Sequence, residues 1–370
     1  MQSIMPWNWE LAEWPNFAWD AAALAPLEQR FLLGSGELAG IFKHLEASDR
    51  DELVMESLSN EAMTTSEIEG ETLDRASVQS SIKRQLGIAT EPRRVPPAEQ
   101  GIAEIMVDAY RSYANPLRHE TLFSWHRALM AGRTDLSEIG QYRTTEEPMQ
   151  IVSAGRFPDA PTVHFEAPPS NRVADEMNTF LAWFNAANAI PALTRAGIAH
   201  LYFESIHPFA DGNGRLGRAI SEKAIAQNLG RPTYTSLASV ILSRRRAYYD
   251  SLERASRTME VTEWLLWFGD AAQEAQRRTT NMVEFILAKT QLFDRLRGQL
   301  NPRQEKALRR MFHEGPDGFK GGLSAGNYAK ITGAPPATTT RDLSDLAEKG
   351  ALSRTGENRH TRYHLNLKAP

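Results

Sequence analysis

Near its middle the chain reads Ile206-His207-Pro208-Phe209-Ala210-Asp211-Gly212-Asn213-Gly214-Arg215-Leu216-Gly217-Arg218, and each part of that run limits what can surround it. The helical pattern of Leu201 to Ile206 stops at His207, because a proline disfavours α conformation in the residue before it. Gly212 and Gly214 permit a tight turn through positive φ, and helical character resumes near Gly214. Backbone N–H groups at that second helix start point into the turn and, with the helix dipole, form a nest for an anion. Arg215 and Arg218, three apart, share a face beside the nest and suit phosphate oxygens. His207 supplies a base titrating near neutrality, and Asp211 a hard oxygen ligand for Mg²⁺. A base, a metal carboxylate, an anion nest and two arginines together describe phosphoryl or nucleotidyl transfer.

Other readings of the same letters are weaker. Gly212-x-Gly214-x-x-Gly217 spells the dinucleotide fingerprint, but a helical stretch precedes it where that fingerprint needs a strand. A P-loop, Gly-x-x-x-x-Gly-Lys-Ser/Thr, occurs nowhere in the chain. Composition narrows the classes further. The 370 residues allow two or three domains, and 41% hydrophobic with 24% charged residues is an ordinary globular balance, as is the mean hydropathy of -0.45. With no cysteine, a disulfide scaffold, a Cys-ligated zinc or Fe–S site and a thiol nucleophile are excluded. No run of about 18 apolar residues appears, and Met1 to Asp20 carries Trp, Pro and acids instead of a basic stretch followed by an apolar one. Membrane spanning and secretion are thus disfavoured, and a cytoplasmic location is expected.

Outward from the central run the pattern is helical on both sides. Trp7, Trp9, Trp14 and Trp19, half of the eight tryptophans, fit neither a helical nor a strand period and read as an arm clamped onto a helical body. An exposed aromatic recognition patch is the alternative. Helices are expected over residues 24–45, 51–69, 73–86, 99–113 and 118–130, with Thr90 to Pro97 as connector. Between Gly140 and Pro169 the pattern breaks into Gly, Pro and two β-prone pieces, 150–152 and 162–165, which suits a hairpin flap. Helices return over 173–185, 194–207, 214–228, 244–257 and 261–300. Residues 301–370 then carry 12 Lys and Arg against 7 Asp and Glu, a balance of +5, while residues 1–300 stand at -9. This basic segment reads helix, short helix, turn, helix, hairpin, the order of a winged helix-turn-helix, fit either for DNA phosphates or as a protein-interaction wedge.

The motif resembles a known family. His207-Pro-Phe-Ala-Asp211-Gly-Asn-Gly-Arg215-x-x-Arg218 matches the H-P-F-x-D/E-G-N-G-R-x-x-R signature of Fic-domain proteins in full. The similarity extends over roughly residues 100–270, including Gly140-Gln-Tyr-Arg143 and Tyr248-Tyr249. With the Trp-rich start and the basic tail, the chain resembles the bacterial Fic subgroup of three-part layout. The resemblance implies a mainly α fold: a helical N-terminal region (1–97), a helical Fic core with a β-hairpin flap and its following helices (98–300), and a winged helix-turn-helix (301–370). It also implies transfer of AMP from ATP to a Ser, Thr or Tyr hydroxyl of a target protein. By position, His207 would take the hydroxyl proton and Asp211 would hold Mg²⁺ against the α- and β-phosphates. Gly212, Asn213 and Gly214 would form the anion hole, with Arg215 and Arg218 on the distal phosphates. Phe209 would anchor the loop, Tyr248 would line the adenine pocket, and Val152 and Ser153 in the flap would hold the target by strand addition.

Thr65-Ser66-Glu67-Ile68-Glu69-Gly70 resembles the family's inhibitory S/T-x-x-x-E-G/N motif. Glu69 would pair with Arg218 in the place of the γ-phosphate, leaving ATP bound in a pose unfit for in-line attack. The plainer alternative is a surface Glu before a C-cap glycine. The partners implied are ATP, a target protein bearing an acceptor hydroxyl, and DNA or protein at residues 301–370; homodimerisation stays open and no membrane contact is expected. Relatives that transfer UMP, phosphocholine or phosphate, relatives that remove AMP, and a DNA-binding regulator with a residual Fic core are the competing functions.

Overall fold

The computed structural model describes residues 5–89, 93–153, 162–187, 189–233, 235–315, 318–319 and 321–367. The chain forms two compact units, one of Met1–Gly40 with Asp51–Arg277 and one of Ile41–Arg50 with Arg278–Pro370. The fold is mainly α, and the helical N-terminal region, apart from Ile41–Arg50, shares one unit with the motif. In chain order the elements are α1 (Ala21–His44), α2 (Ala47–Ile68), α3 (Arg75–Leu86), α4 (Pro97–Arg111), α5 (His119–Leu129), β1 (Gln150–Ser153), β2 (Thr162–Glu166), α6 (Ser170–Ala186), α7 (Ala192–Ile206), α8 (Asn213–Leu229), α9 (Leu237–Ser243), α10 (Arg245–Ala255) and α11 (Thr262–Arg295). The chain ends with α12 (Pro302–His313), α13 (Ala325–Thr332), α14 (Pro336–Glu348), β3 (Leu352–Thr355) and β4 (Arg362–Leu365).

In the first unit α7 and α8 form the central pair. Every residue of α7 except Glu204 is buried, as expected of a helix apolar on all sides. Its N-terminus lacks a cap of its own. Instead the buried Glu28 of α1 accepts from Leu193 N at 3.1 Å and Thr194 N at 2.7 Å, satisfying two orphan donors. The short α9 was not expected from the sequence: Leu237 to Ser243 is too brief for a helical period to stand out, and Glu61 of α2 holds its first turn by accepting from Ala238 N at 3.0 Å.

β1 and β2 pair antiparallel as the expected flap, with Gln150 opposite Glu166, Ile151 opposite Phe165, Val152 opposite Val163 and Ser153 opposite Thr162, and a register shift between Ile151 and Val152. The aromatic arm packs onto the body: Trp7 and Trp9 are buried, and Trp14 and Phe17 meet the Tyr202 ring edge-on at 5.0 and 5.6 Å. The exposed-patch alternative is thereby set aside for these residues.

In the second unit α12, α13 and α14 are followed by the β3–β4 hairpin, with Leu352 opposite Leu365, and Leu323 bridges Tyr363. Asn301 caps α12, accepting from Gln304 N at 3.0 Å while Gln304 answers to Asn301 N at 3.0 Å. Asp342 of α14 is buried, and it accepts from Arg303 Nε at 2.8 Å and Tyr328 Oη at 3.0 Å around a core of Leu308, Phe312, Leu343 and Leu346.

Candidate active site

α7 ends on His207, whose backbone at φ 49° lies in the left-handed region, uncommon outside glycine. Arg143, itself buried, holds this turn from behind. Its Nε donates to His207 O at 2.8 Å, its Nη2 to Pro168 O at 2.5 Å and to Ile206 O at 3.4 Å, and its backbone N–H to Pro208 O at 3.0 Å. Phe209 then turns into the core against His126, ring centroids 4.2 Å apart, and burial of such a ring stabilises the loop by roughly 1.5–3 kcal/mol. Asn213 closes the loop: its Oδ1 accepts from Phe209 N at 3.0 Å and its Nδ2 donates to Phe209 O at 2.8 Å. Gly212 sits at φ 82°, and a Cβ there would strike the Met130 and Leu129 side chains at 2.7 and 2.8 Å. α8 starts at Asn213, so the N–H groups of Asn213, Gly214 and Arg215 have no intrahelical acceptor and remain for a ligand.

His126 carries the loop's other end. Its Nδ1 accepts from Gly140 N at 2.9 Å, so its Nε2 carries the proton and donates to Asp211 O at 3.2 Å. Burial pulls its pKa down to about 4, consistent with the neutral tautomer those partners require.

Both motif arginines are buried and already engaged. Arg218 donates from Nε to Thr65 Oγ1 at 2.6 Å, and from Nη2 to Thr65 O at 2.9 Å and Glu69 Oε1 at 2.7 Å; its Nη1 has no partner. Burial opposes its charge, yet Glu69, Tyr248 and Glu204 together outweigh it and its pKa rises. Arg215 donates to Glu71 Oε2 at 2.6 Å and reaches Asp211 Oδ1 at 3.4 Å. Gly70, at φ 84°, ends the turn that presents Glu69, and its N–H donates to Glu67 O at 3.0 Å. A Cβ on Gly214 would collide with Glu69 Oε1, so only glycine lets this carboxylate approach the start of α8.

These groups border a cavity of about 650 Å³, within the usual size of ligand pockets. Glu69, His207 and Asp211 to Gly214 line one part, and Val152, Phe165, Tyr248 and Tyr249 another. Burial, then the nearby Arg143 charge, pulls the His207 imidazole down to about 4, so it stands neutral and able to accept a proton. Glu204, on the same wall, is pushed up to about 8 by burial, with Arg218 opposing and Glu69 adding to the rise. Tyr248 lies against His200, Oη to Nε2 2.7 Å; burial raises the phenol well above its usual value and lowers the imidazole to about 3. The Asp211 carboxylate is partly exposed, held by Gly212 N at 2.5 Å and Arg133 at 2.9 Å. One exposed carboxylate beside an anion nest fits Mg²⁺, which prefers one or two carboxylates plus phosphate oxygens.

The structure thus brings together His207, Asp211, Gly212, Asn213, Gly214, Arg215, Arg218, Tyr248, Val152, Glu69, Thr65 and Gly70 around or beside one cavity. Ser153 takes its place in β1 through its backbone. One expectation is refined, because the Asn213 amide is committed to Phe209 and leaves only its backbone N–H for an anion. Sequence reasoning missed Glu71, Arg133, His126 and Glu204. No letter pattern marks the first two, whereas the single acidic residue in the otherwise apolar turn Tyr202 to Ile206 was a readable signal for Glu204.

The Fic/DOC family profile matches residues 116–224, and a domain of unknown function, DUF4172, matches residues 7–88. A probable protein adenylyltransferase of Aquifex aeolicus is 32% identical over 91 residues, covering 25% of this chain and 26% of the relative. The protein adenylyltransferase Fic of Aedes aegypti is 24% identical over 273 residues, 65% of this chain and 50% of the relative. The chain therefore spans half or less of the length of these curated relatives. The crystal structure of a Fic family protein from Desulfovibrio desulfuricans G20 superposes with a TM-score of 0.52 at 23% identity, covering 93% of this chain and 97% of that one, and shows the shared fold. The chain carries a Fic/DOC domain at residues 116–224.

Proposed function

We propose that this protein moves AMP from ATP onto a Ser, Thr or Tyr hydroxyl of a target protein, and of itself, and that Glu69 restrains it. The observation that carries this reading is the Arg218 guanidinium held by Thr65 and Glu69 inside a complete Fic loop. His207 accepts the hydroxyl proton, the oxygen bonds to the α-phosphorus, and the bond to the β-phosphate bridging oxygen breaks, so pyrophosphate leaves. The first-turn N–H groups of α8 orient the phosphates, and Arg215 and Arg218 hold the distal oxygens once Glu71 and Glu69 release them. Asp211 would hold Mg²⁺, which supplies charge neutralisation on the phosphates. Tyr248 borders the base end, and β1–β2 offers an edge for the target backbone. Glu69 occupies the γ-phosphate's partner, and such a charge-assisted pair is worth on the order of 1.5–3 kcal/mol.

Incubation with Mg²⁺ and ATP labelled at the α- or at the γ-phosphate tests this. α-label with no γ-label on protein is expected; γ-label on protein would replace AMP transfer by phosphate transfer.

A second reading concerns residues 301–370. Lys330 of α13, Arg341 of α14 and Arg354 of β3 are exposed, and Asp342 and Asp345 are paired with Arg303 and Lys349. This supports a winged helix-turn-helix that contacts DNA phosphates.

A further inference from the structure

Of three consecutive residues of the arm, Trp7-Asn8-Trp9, the two tryptophans end on β2 and the asparagine between them on the end of α7 and the segment after α10. The Trp9 indole Nε1 donates to Glu166 O in β2 at 2.7 Å. The Trp7 ring meets Phe165 edge-on at 5.1 Å, with the Arg257 guanidinium on its face. Asn8 is fully buried: its Nδ2 donates to Ser205 Oγ at 2.8 Å, two residues before His207, and its backbone N–H donates to Ser256 O at 2.7 Å beyond α10. Phe165, Ser205 and Ser256 all line the cavity. Glu10 locks the arm's own turn by accepting from Trp7 N at 2.7 Å. A two-stranded hairpin is marginal alone in water, so its pose depends on what holds its base. Here the base is held by Trp7 and Trp9, and its distance from α7 by Asn8.

We propose that Trp7-Asn8-Trp9 is the positioning element for the acceptor side of the cavity, fixing β2 against α7 and so setting how the flap captures the acceptor polypeptide. The nucleotide side lies elsewhere: the polar contacts of this tripeptide reach Glu166, Ser205 and Ser256, and not the residues from Asp211 to Arg218. The proposal rests on the AMP-transfer reading for its kinetic consequence, but not for its structural one. It also gives the domain of unknown function two grips on one site, Glu69 at the phosphate end and the arm at the flap end.

The test uses the full chain with Trp9→Phe, which keeps the ring but drops the indole donor, and Asn8→Ala and Ser205→Ala singly and together. Hydrogen exchange of β1–β2 is read first, and loss of one such bond is expected to speed it about tenfold. In a Glu69→Gly background, the concentration dependence of AMP transfer is then measured with the His207→Ala chain as acceptor. Its KM should rise several-fold while nucleotide affinity stays within about twofold, and the double variant should be no worse than either single. Unchanged flap exchange in Trp9→Phe overturns the proposal whether or not AMP transfer is detected, and so does a parallel loss of nucleotide affinity. If no variant transfers AMP but flap exchange rises, the clamp stands and the function assigned to the site falls.

Discussion

The Glu69 carboxylate lies 2.7 Å from Arg218 Nη2 and against the Cα of Gly214, at the start of the helix whose N–H groups form the anion nest. On the proposed reading, one acid takes both the charge partner and the space of a terminal phosphate. Glu69→Gly should raise AMP incorporation several-fold, since it removes a charge-assisted pair between the buried Arg218 and a partly exposed carboxylate, worth up to about 1.5–3 kcal/mol. Arg218→Ala should lower it, because the phosphate's partner goes together with the inhibitor's anchor. Equal labelling by wild type and Glu69→Gly at saturating ATP and Mg²⁺ would refute the restraint.

His207→Ala should abolish transfer with ATP affinity nearly intact, because a general base contributes about 10²- to 10⁴-fold to rate and little to ground-state binding. With the imidazole at about 4, the acid limb of the rate profile should fall well below the usual histidine range. An acid limb near pH 6.5 in the free enzyme would place the base elsewhere.

Buried titrating groups also fix how stability responds to pH. His126, His200 and His207 are depressed by burial, so the unfolded chain takes up protons below about 6.5 that the folded chain refuses, and stability is lost as pH falls toward 4. Glu204 and Glu222 are raised to about 8 by burial, so the unfolded chain releases protons that the folded chain keeps, and stability is lost as pH climbs from about 4.5 toward 8. Melting temperature should therefore peak between about pH 5 and 6. Glu222→Gln should flatten the alkaline side, and an unchanged slope there would deny that Glu222 is buried with its proton.

The sequence reading reached the two helices flanking the loop and the flap strands because each has a local cause, Pro208 after a helix and β-prone pieces between Gly and Pro, and it reached the Glu69–Arg218 pair, 149 positions apart, only through the resemblance of Thr65 to Gly70 to a family motif. What it missed has no local cause. Arg143 and His126 act on carbonyls 64 and 85 positions away, and Glu71 reaches Arg215 across 144. Such pairings exist only once α5, α7 and α8 have packed. The Asn213 side chain adds a loop staple to Phe209 that no letter pattern announced, while its backbone N–H stays at the start of α8.

If α14 and the hairpin contact DNA, binding of the full chain should weaken steeply with salt, with log affinity falling by about 0.9 per neutralised phosphate against log salt. Arg341→Ala and Arg354→Ala should each reduce that slope by about one. Full-length protein giving no DNA shift at low ionic strength would leave a protein partner for this surface.

Arg143 offers the sharpest test of how the loop is held. Its guanidinium satisfies the carbonyls of His207, Pro168 and Ile206, joining the left-handed turn at the base to the chain leaving the flap. Lysine presents its donors from a single nitrogen without the planar fork, and so does not reproduce the spaced Nε and Nη2 contacts that Arg143 makes. Arg143→Lys should therefore cost about 2–3 kcal/mol of stability, since buried carbonyls lose their donors. It should also lower kcat with little change in nucleotide affinity, because the anion nest of α8 is held separately by Asn213 on Phe209. Arg143→Met, unlike the lysine variant, removes a charge that helps depress the His207 pKa, so in that variant the acid limb of the rate profile should move upward. A variant with wild-type kcat and an unmoved acid limb would show that His207 keeps its pose without Arg143.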